Sequence, residues 1–353
     1  MTPEVRCLPV AGTGNPYQSL MMKGLAKNGL LKVEHGVEGA FFAAIRTCFS
    51  FKPDYLHYDW INSYARKRNR PLSYLNLPLF MLDLMLVRYL YPDTQIVWTL
   101  HNIYPHSTPV EAWHKYIRLF FYRQTKWVRV FSDDTIDRFM SFYGTKDNRF
   151  ITVPEGSYKS VYPAPLIETG ERSEAGDNTP QGGFRLLHIG RLYPYKGLEQ
   201  LISAFKEWPG NHTLTLAGKP LNDTYAFTIQ ELIGADSRIS FHPGFVPEAE
   251  LPTYFANADI AVLPFVNVEN SGSVILAMGY SKPVLAPAIG VLTDRLSNQS
   301  QLLYKVTDGV KEGLENLSGL TAKQLETWGR ANCKALDRHE WSDFQKLFLV
   351  PDK

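Results

Sequence analysis

The sequence has few cysteines and lacks a long apolar segment. Its 353 residues include three cysteines, Cys7, Cys48 and Cys333, an odd number at wide spacing. This pattern indicates neither a disulfide framework nor a zinc site. No window approaches the roughly 18 consecutive apolar residues that a membrane-spanning helix requires, and no basic segment followed by an apolar run stands at the start. We therefore expect a cytoplasmic protein that does not cross a membrane.

Signals for nucleic-acid binding are also missing. The sequence contains no motif of a nucleic-acid-binding module, and its isoelectric point of about 8.2 is below the value typical of such domains. The charge is nevertheless uneven, since residues 1–150 contain 19 Lys+Arg and 12 Asp+Glu, which leaves 18 and 23 for the remainder. The excess in the first half suggests contact with phosphate groups or an acidic membrane, although ordinary soluble domains carry as much.

Short strand-like runs alternate with longer helical patterns along the chain. A chain of this length, with 44% hydrophobic and 20% charged residues, predicts two globular domains. The alternation is typical of parallel sheets covered by helices. The predicted strands are 5–10, 55–57, 96–100, 127–131 and 150–153 in the first half, and 184–189, 213–217, 239–242, 260–263 and 283–286 in the second.

A polar stretch rich in Pro, Gly, Ser and acidic residues separates the two halves. It predicts a linker over 164–183, with one doubly wound domain at 1–163 and another at 184–320. Residues 321–353 have a helical pattern, and we expect them to pack across both domains.

The segment 188–197 ends a predicted strand with a basic loop. Its sequence, His-Ile-Gly-Arg-Leu-Tyr-Pro-Tyr-Lys-Gly, places Arg191 and Lys196 after Gly190, at the sheet edge where open α/β sheets bind ligands. Two cations beside a helix N-terminus suit a diphosphate, because their charges add to the exposed backbone N–H groups. The alternative interpretation is a solvated basic loop.

A second loop of this kind follows the predicted strand 260–263. It carries Glu269, and the polar turn 270–273, Asn-Ser-Gly-Ser, then opens an apolar helix. Free N–H groups there can hold phosphate oxygens, while the carboxylate can accept hydrogen bonds from sugar hydroxyls. A capped helix with a solvated glutamate is the alternative, but two such loops in one domain favour a ligand site.

Residues 184–300 resemble the donor domain of GT-B glycosyltransferases, in particular the family 4-like group. The shared motifs are the Gly-Arg-x-x-x-x-Lys-Gly loop, the glutamate loop, and the intervening segments 216–220 and 241–247. The resemblance implies two Rossmann-like domains facing a central cleft, with the acceptor bound by 1–163 and a nucleoside diphosphate-sugar by 184–320. The implied donor-binding residues are Gly190, Arg191, Lys196, Gly218, Lys219, Phe245, Val246, Glu269, Asn270, Ser271, Gly272 and Ser273, with 244–246 against the nucleobase.

One position departs from that group. Its members commonly carry a second glutamate eight residues after the first, directed at the ribose hydroxyls, and here that position is Ala277. The 270–273 turn, with the segments 99–102 and 105–106, more closely resembles the mannosyltransferases that complete xanthan-type exopolysaccharide repeat units. That resemblance implies an inverting, β-forming transfer from GDP-mannose to a glycan or lipid-linked oligosaccharide.

Inverting transfer needs a base for the acceptor hydroxyl and a positive group for the leaving diphosphate. Arg191, Lys196 and a helix N-terminus can meet the second need without a metal or another cofactor. The candidate bases are Asp59, His101 and Asp133, each of which follows a predicted strand. Asp59 and His101 are favoured, because Asp133 can serve as a helix cap, although His101 can instead hydrogen-bond the donor.

Two basic stretches that include or adjoin aromatic residues, 66–70 and 115–123, lie in the first half. They suit peripheral contact with an anionic bilayer at the inner face of the plasma membrane, where a lipid-linked acceptor would be found. An exposed basic face over ordinary helix core is equally consistent. The loop 12–17 lacks Gly-x-Gly-x-x-Gly spacing, and the GT-B resemblance places it on the acceptor side.

Two other functions stay open at this stage. A retaining family 4-like transferase that uses a UDP-sugar would carry the same donor loops. A two-lobed protein that binds a small ligand without chemistry would share the fold, but such proteins often carry export signals, and this sequence shows none.

Overall fold

The computed structural model describes residues 2–10, 16–39, 41–64, 75–104, 112–146, 149–165 and 183–349. The chain folds into two units, the first formed by Met1–Gly156 with His339–Lys353 and the second by Ser157–Arg338. Each unit contains a six-stranded sheet in which the paired strands are parallel. The prediction of two doubly wound α/β folds is therefore confirmed.

The first unit alternates strands and helices. Its strands are β1 Glu4–Leu8, β2 Lys32–His35, β3 Tyr55–Tyr58, β4 Gln95–Thr99, β5 Trp127–Val130 and β6 Phe150–Thr152. Its α-helices are α1 Tyr17–Leu25, α2 Ala43–Phe51, α3 Asn76–Leu90, α4 Ala112–Gln124 and α5 Asp133–Tyr143, and short 3-10 helices lie at Lys27–Gly29, Ile61–Tyr64 and Trp341–Leu347.

The second unit repeats the alternation and ends in helices. Its strands are β7 Arg185–Ile189, β8 Thr213–Gly218, β9 Ile239–Pro243, β10 Ile260–Val262, β11 Val284–Pro287 and β12 Leu303–Tyr304. Its α-helices are α6 Leu198–Glu207, α7 Asp223–Ile233, α8 Leu251–Ala256, α9 Gly272–Gly279, α10 Val291–Arg295, α11 Gly309–Glu315 and α12 Ala322–Ala335, with 3-10 helices at Pro194–Lys196, Glu248–Glu250, Ser297–Leu302 and Leu336–Arg338.

Every predicted strand overlaps an observed one, and two edge strands were not predicted. β2 pairs with β1 alone, and three of its four residues are exposed, so it has no apolar run to mark it. β12 contains only two residues. The predicted segments 12–15, 66–70 and 105–106, and most of the predicted linker 164–183, lie outside the described residues.

The strand order fixes where ligands are expected to bind. The first sheet runs β2-β1-β3-β4-β5-β6, and the second runs β12-β11-β10-β7-β8-β9. In each sheet the direction of winding reverses once, between β1 and β3 and between β7 and β10. Open α/β sheets bind ligands beyond the carboxyl ends of the strands at this reversal.

The C-terminal segment packs on α1 in the first unit. The side-chain amide of Gln345 donates hydrogen bonds to the carbonyls of Leu25 (2.9 Å) and Lys27 (2.7 Å), which lie at and just beyond the end of α1. The guanidinium of the fully buried Arg129 lies 3.3 Å from the ring centroid of Phe344. This segment therefore satisfies carbonyls that a helix end leaves open and completes the core on one face of the sheet.

We expect Gly24→Ala to lower the melting midpoint by a few degrees. The added methyl carbon would lie 2.4 Å from Cβ of Trp341 and 2.5 Å from its carbonyl carbon, and such overpacking costs about 1–3 kcal/mol. Gly279→Ala in α9 is the matched control, because its new methyl group would meet no atom nearer than 4.0 Å. Thermal unfolding followed by circular dichroism tests this, and equal melting of both variants and wild type would contradict the packing.

Candidate functional site

Both predicted donor loops flank the reversal point of the second sheet. The first loop follows β7 and the second follows β10, and these strands are hydrogen-bonded neighbours. The backbone N–H of Val266 donates to the carbonyl of Tyr195 at 3.1 Å, so the loops are joined directly. A methyl group added to Gly190 would lie 3.0 Å from Oγ of Ser273, so the start of the first loop adjoins the start of α9.

Glycines end three adjacent strands of this sheet. Gly190, Gly218 and Gly244 have φ angles of 134°, 146° and 147°, which L side chains rarely adopt. A Cβ on Gly218 would lie 1.5 Å from the carbonyl oxygen of Gly190, and the Gly244 N–H donates to the Gly218 carbonyl at 2.9 Å. The ends of these adjacent strands can therefore approach this closely only with glycine at these positions.

Lys196 is the most unusual charged group at this edge. Its side chain is buried, with 7% of the residue exposed, and its ammonium lies 4.4 Å from the ring centroid of Phe265. Within the described residues no carboxylate forms an ion pair with it. Burial, followed by repulsion from Arg191, lowers the pKa of Lys196 to about 7. An anion would supply the missing partner.

The position of Lys196 is enforced by the glycine that follows it. Gly197 has a φ of 72°, and a Cβ there would lie 2.0 Å from the carbonyl oxygen of Pro264. The turn between the 3-10 helix and α6 therefore presses against the chain that leaves β10. Lys196 directly precedes Gly197, so this contact holds the Lys196 ammonium next to Phe265 of the second loop.

Two further polar groups at this edge are buried. Ser271 precedes α9 as its N-cap residue and makes no side-chain capping bond, and its Oγ has no hydrogen-bond partner among the described residues. The Nδ1 of His188 pairs with the carbonyl of Val262 at 2.9 Å, and its Nε2 has no partner in the same part of the chain. Burial lowers the pKa of His188 to about 3, so this ring is neutral and its Nε2 is an acceptor.

The other predicted donor residues follow the strands β7, β8, β9 and β10. Glu269 is buried, with 1% of the residue exposed, whereas Arg191 and Lys219 are exposed. Phe245 follows β9, and 78% of it is exposed, which leaves an aromatic face open to stacking. Val246 lies in the loop after β9, Asn270 lies in the loop before α9, and Gly272 is the first residue of α9.

Asp59 and His101 meet in the first unit. Nε2 of His101 lies 3.2 Å from Oδ1 of Asp59, and the side-chain amide of Gln18 donates to Oδ2 at 3.1 Å. The carboxylate of Asp59 is fully buried. Burial raises the pKa of this group, but His57 and the hydrogen bonds from His101 and Gln18 lower it by more, so Asp59 is ionised at neutral pH.

Aromatic rings fix the orientation of His101. Trp60 stacks on its ring at a centroid distance of 5.0 Å, and Tyr17 packs edge-on at 4.9 Å. With Nε2–H donated to Asp59, Nδ1 carries the lone pair. The side chain is 14% exposed. A carboxylate that orients a partly exposed imidazole is the arrangement of a general base and its supporting acid.

Asp133 has a different environment from this pair. It is the first residue of α5, it is exposed, and its carboxylate accepts a hydrogen bond from Thr152. Ser132, and not Asp133, is the N-cap residue. The negative charge in the first turn suits the helix dipole.

Sequence reasoning did not assign a role to several residues of these clusters. His188 stood inside the first motif, and Gln18, Trp60 and Tyr17 come from elements distant in the sequence. A histidine two residues before a strand-end glycine was the available signal for His188. Nothing in the linear pattern links Gln18 to Asp59, because the contact spans 41 residues.

Comparison with known sequences identifies relatives over most of the chain. Residues 183–321 match the family model described as Glycosyl transferases group 1, and this range contains every predicted donor residue. Two proteins of Xanthomonas campestris pv. campestris, each named GDP-mannose:glycolipid 4-beta-D-mannosyltransferase, are 26% and 27% identical over 283 residues. That alignment covers 79% of this chain and 71% of each relative.

Solved structures show the same fold at low sequence identity. Sucrose-phosphate synthase from Thermosynechococcus elongatus has a TM-score of 0.70 and 15% identity, and the match covers 98% of this chain and 97% of that one. HepE from Anabaena, solved in complex with UDP, has a TM-score of 0.68 and 14% identity over 98% of both chains. These matches confirm the GT-B fold predicted from the sequence.

We expect Lys196→Met to raise the melting midpoint of the ligand-free protein at pH 7, by about 5 °C or more. The pKa of Lys196 falls to about 7 on folding, so the unfolded chain binds its proton more tightly, and stability rises with pH between about 7 and 10.5. Methionine removes that penalty and packs against Phe265. The gain should shrink as the pH approaches 10.5.

Lys305→Met is the control for this measurement, because Lys305 is exposed in the same unit and should leave the midpoint unchanged. Differential scanning calorimetry over a pH series gives both values. A lower midpoint for Lys196→Met at pH 7 would show that the ammonium has a stabilising partner, against the arrangement described above.

Proposed function

We propose that this chain, whose residues 183–321 match the family model described as Glycosyl transferases group 1, is a glycosyltransferase that transfers mannose from GDP-mannose to a glycolipid or lipid-linked glycan with inversion. The observation that carries the proposal is the buried ammonium of Lys196, which contacts Phe265 in the segment between β10 and α9 and has no carboxylate partner among the described residues. The two Xanthomonas relatives named as GDP-mannose:glycolipid mannosyltransferases support the choice of donor, acceptor class and β-linkage. A role in bacterial exopolysaccharide assembly is part of this proposal.

In the proposed reaction, the second unit binds the donor. Lys196, Arg191 and the free N–H groups at the start of α9 neutralise the charge that develops on the leaving diphosphate. Glu269 accepts hydrogen bonds from mannose hydroxyls, and Phe245 stacks on the nucleobase. These residues supply the positive charge that the leaving group requires, so the proposal gives no metal or other cofactor a role.

The first unit supplies the base. Nδ1 of His101 takes the proton of the acceptor hydroxyl as its oxygen attacks the anomeric carbon, and the bond to the diphosphate breaks on the opposite side. The imidazolium formed is stabilised by the ionised Asp59 at 3.2 Å from Nε2. Asp59 is therefore proposed as the orienting acid and not as the base, because its own carboxylate is buried and already accepts two hydrogen bonds.

We expect GDP and GDP-mannose to bind the purified protein and to raise its melting midpoint, with weaker responses to UDP, ADP and TDP. A ligand that binds only the folded state stabilises it by mass action. Lys196→Ala and Arg191→Ala should each abolish or sharply weaken the response, because their charges face the diphosphate. Thermal-shift titration, repeated by calorimetry, tests this.

A stronger response to UDP than to GDP would replace the proposed donor with a UDP-sugar. Equal binding by both variants and wild type would contradict the assigned diphosphate site, whichever nucleotide binds.

We expect His101→Gln and Asp59→Asn to lower kcat by about 10²–10⁴-fold, the range typical of a lost general base. Binding of GDP-mannose should stay unchanged, since neither residue lies in the unit that carries the donor loops. Asp133→Asn is the matched control, because it too follows a strand but is exposed, and it should retain kcat. Steady-state kinetics with a glycolipid acceptor measures these effects, and loss of turnover in Asp133→Asn alone would overturn the assignment.

A further inference from the structure

Helix α3 has apolar residues on its exposed face as well as on its buried face. Leu82, Met85 and Tyr89, spaced by three and four residues, are 44%, 56% and 82% exposed, and Leu90 at the helix end is 54% exposed. Residues at this spacing lie on one side of a helix. The stripe is therefore a continuous apolar surface and not a set of isolated side chains.

The neighbouring helices extend this surface. α3 contacts both α2 and α4, and each of these also carries a large exposed aromatic residue. Phe49 in α2 is 77% exposed, and Tyr116 in α4 is 59% exposed. We refer to the outer side of α2, α3 and α4 as the docking face.

The exposed charges on these three helices are all positive. Arg46, Arg88, Lys115 and Arg123 are exposed, and the helices contain a single carboxylate, Asp83. That carboxylate is buried and points inward, because it accepts hydrogen bonds from the backbone N–H groups of Ala44 (2.9 Å) and Ile45 (2.8 Å). Within the described residues of these three helices, the docking face therefore combines an apolar stripe with cations and no exposed acid.

We propose that the docking face binds an anionic lipid bilayer, with the α3 stripe entering the headgroup region and Arg46, Arg88 and Arg123 contacting lipid phosphates, whereas the ammonium of Lys115 lies 5.2 Å from the ring centroid of Phe142 in α5. A surface with one apolar side and flanking Lys and Arg residues suits the membrane interface. A second copy of this chain is a poorer partner, since a symmetric contact would bring the same four cations together. No described helix is long and apolar enough to span a bilayer.

This proposal goes beyond the proposed function, because binding to lipid requires neither the sugar donor nor the acceptor. It can therefore fail while the transferase assignment stands, and the reverse also holds. If both hold, the protein would meet a glycolipid acceptor at the surface on which that acceptor resides.

The test is flotation of the full chain with vesicles that contain no glycolipid. Vesicles of phosphatidylcholine with phosphatidylglycerol are compared with phosphatidylcholine alone, at low salt and at about 1 M salt, where charge interactions are screened beyond about 3 Å. The double variant Met85→Glu/Tyr89→Glu is compared with Phe227→Glu/Val306→Glu. The control residues are 66% and 48% exposed and lie in the second unit, so both double variants change the charge equally.

We expect wild type and the control to float with phosphatidylglycerol vesicles at low salt, and not with phosphatidylcholine alone. Salt should release them, because each cation at an anionic surface contributes roughly fivefold to partitioning. The Met85→Glu/Tyr89→Glu variant should partition at least about tenfold more weakly. All three proteins should give the same circular dichroism spectrum and the same melting midpoint, which shows that they are folded.

Three results would overturn the proposal. One is a wild-type protein that stays unbound with anionic vesicles at low salt. Another is a Met85→Glu/Tyr89→Glu variant that floats as well as the control. The third is a wild-type protein that does not bind lipid but is a dimer in light scattering, while the Met85→Glu/Tyr89→Glu variant is a monomer. That result would assign the docking face to contact with a second copy of the chain.

Discussion

A buried ammonium group that has no carboxylate partner in the described part of the chain is the constraint on which the second unit depends. Lys196 loses hydration on folding and gains an aromatic ring in return, so its charge is unfavourable until an anion arrives. The surrounding structure maintains this state. Gly197 presses on Pro264, the backbone of Val266 bonds to Tyr195, and Gly218 packs on Gly190. The fold thus keeps a charge in place that serves binding at the expense of stability, a common feature of functional sites.

The first unit uses the same kind of sheet edge for a different purpose. Its ionised Asp59 is buried, but His101 and Gln18 satisfy both oxygens, so the charge is compensated within the fold. The group that stays available for chemistry is the imidazole of His101, which Trp60 orients by stacking on it. The second unit therefore has a buried cation to which an anion can bind. The first unit has a carboxylate that is already hydrogen-bonded to the proposed base. The transfer reaction proposed above requires both kinds of group.

Much of the fold could be predicted because its signals are local. Strands with apolar runs, the basic 190–197 loop and the Glu269 loop are each contained in one short stretch of sequence. Edge strand β2 was missed because its side chains are largely exposed. Local sequence patterns do not predict contacts between residues that are distant in the sequence. The Asp59–Gln18 contact and the packing of Trp341 on Gly24 are of this kind. α3 is apolar on most sides, which by itself predicts complete burial, and only the packing shows which residues stay exposed.

The most direct test of the central claim is calorimetric titration of GDP-mannose at pH 8 in two buffers that differ in ionisation enthalpy. The donor has no phosphate group that titrates near neutral pH, so proton uptake reports on the protein. With a pKa of about 7, Lys196 is mostly neutral at pH 8 before binding and becomes charged beside the diphosphate. We predict an uptake of about one proton per donor bound. This proton uptake should be lost in the Lys196→Met variant, which retains Arg191. Tight binding with no proton uptake would contradict the claim that the diphosphate binds at this ammonium.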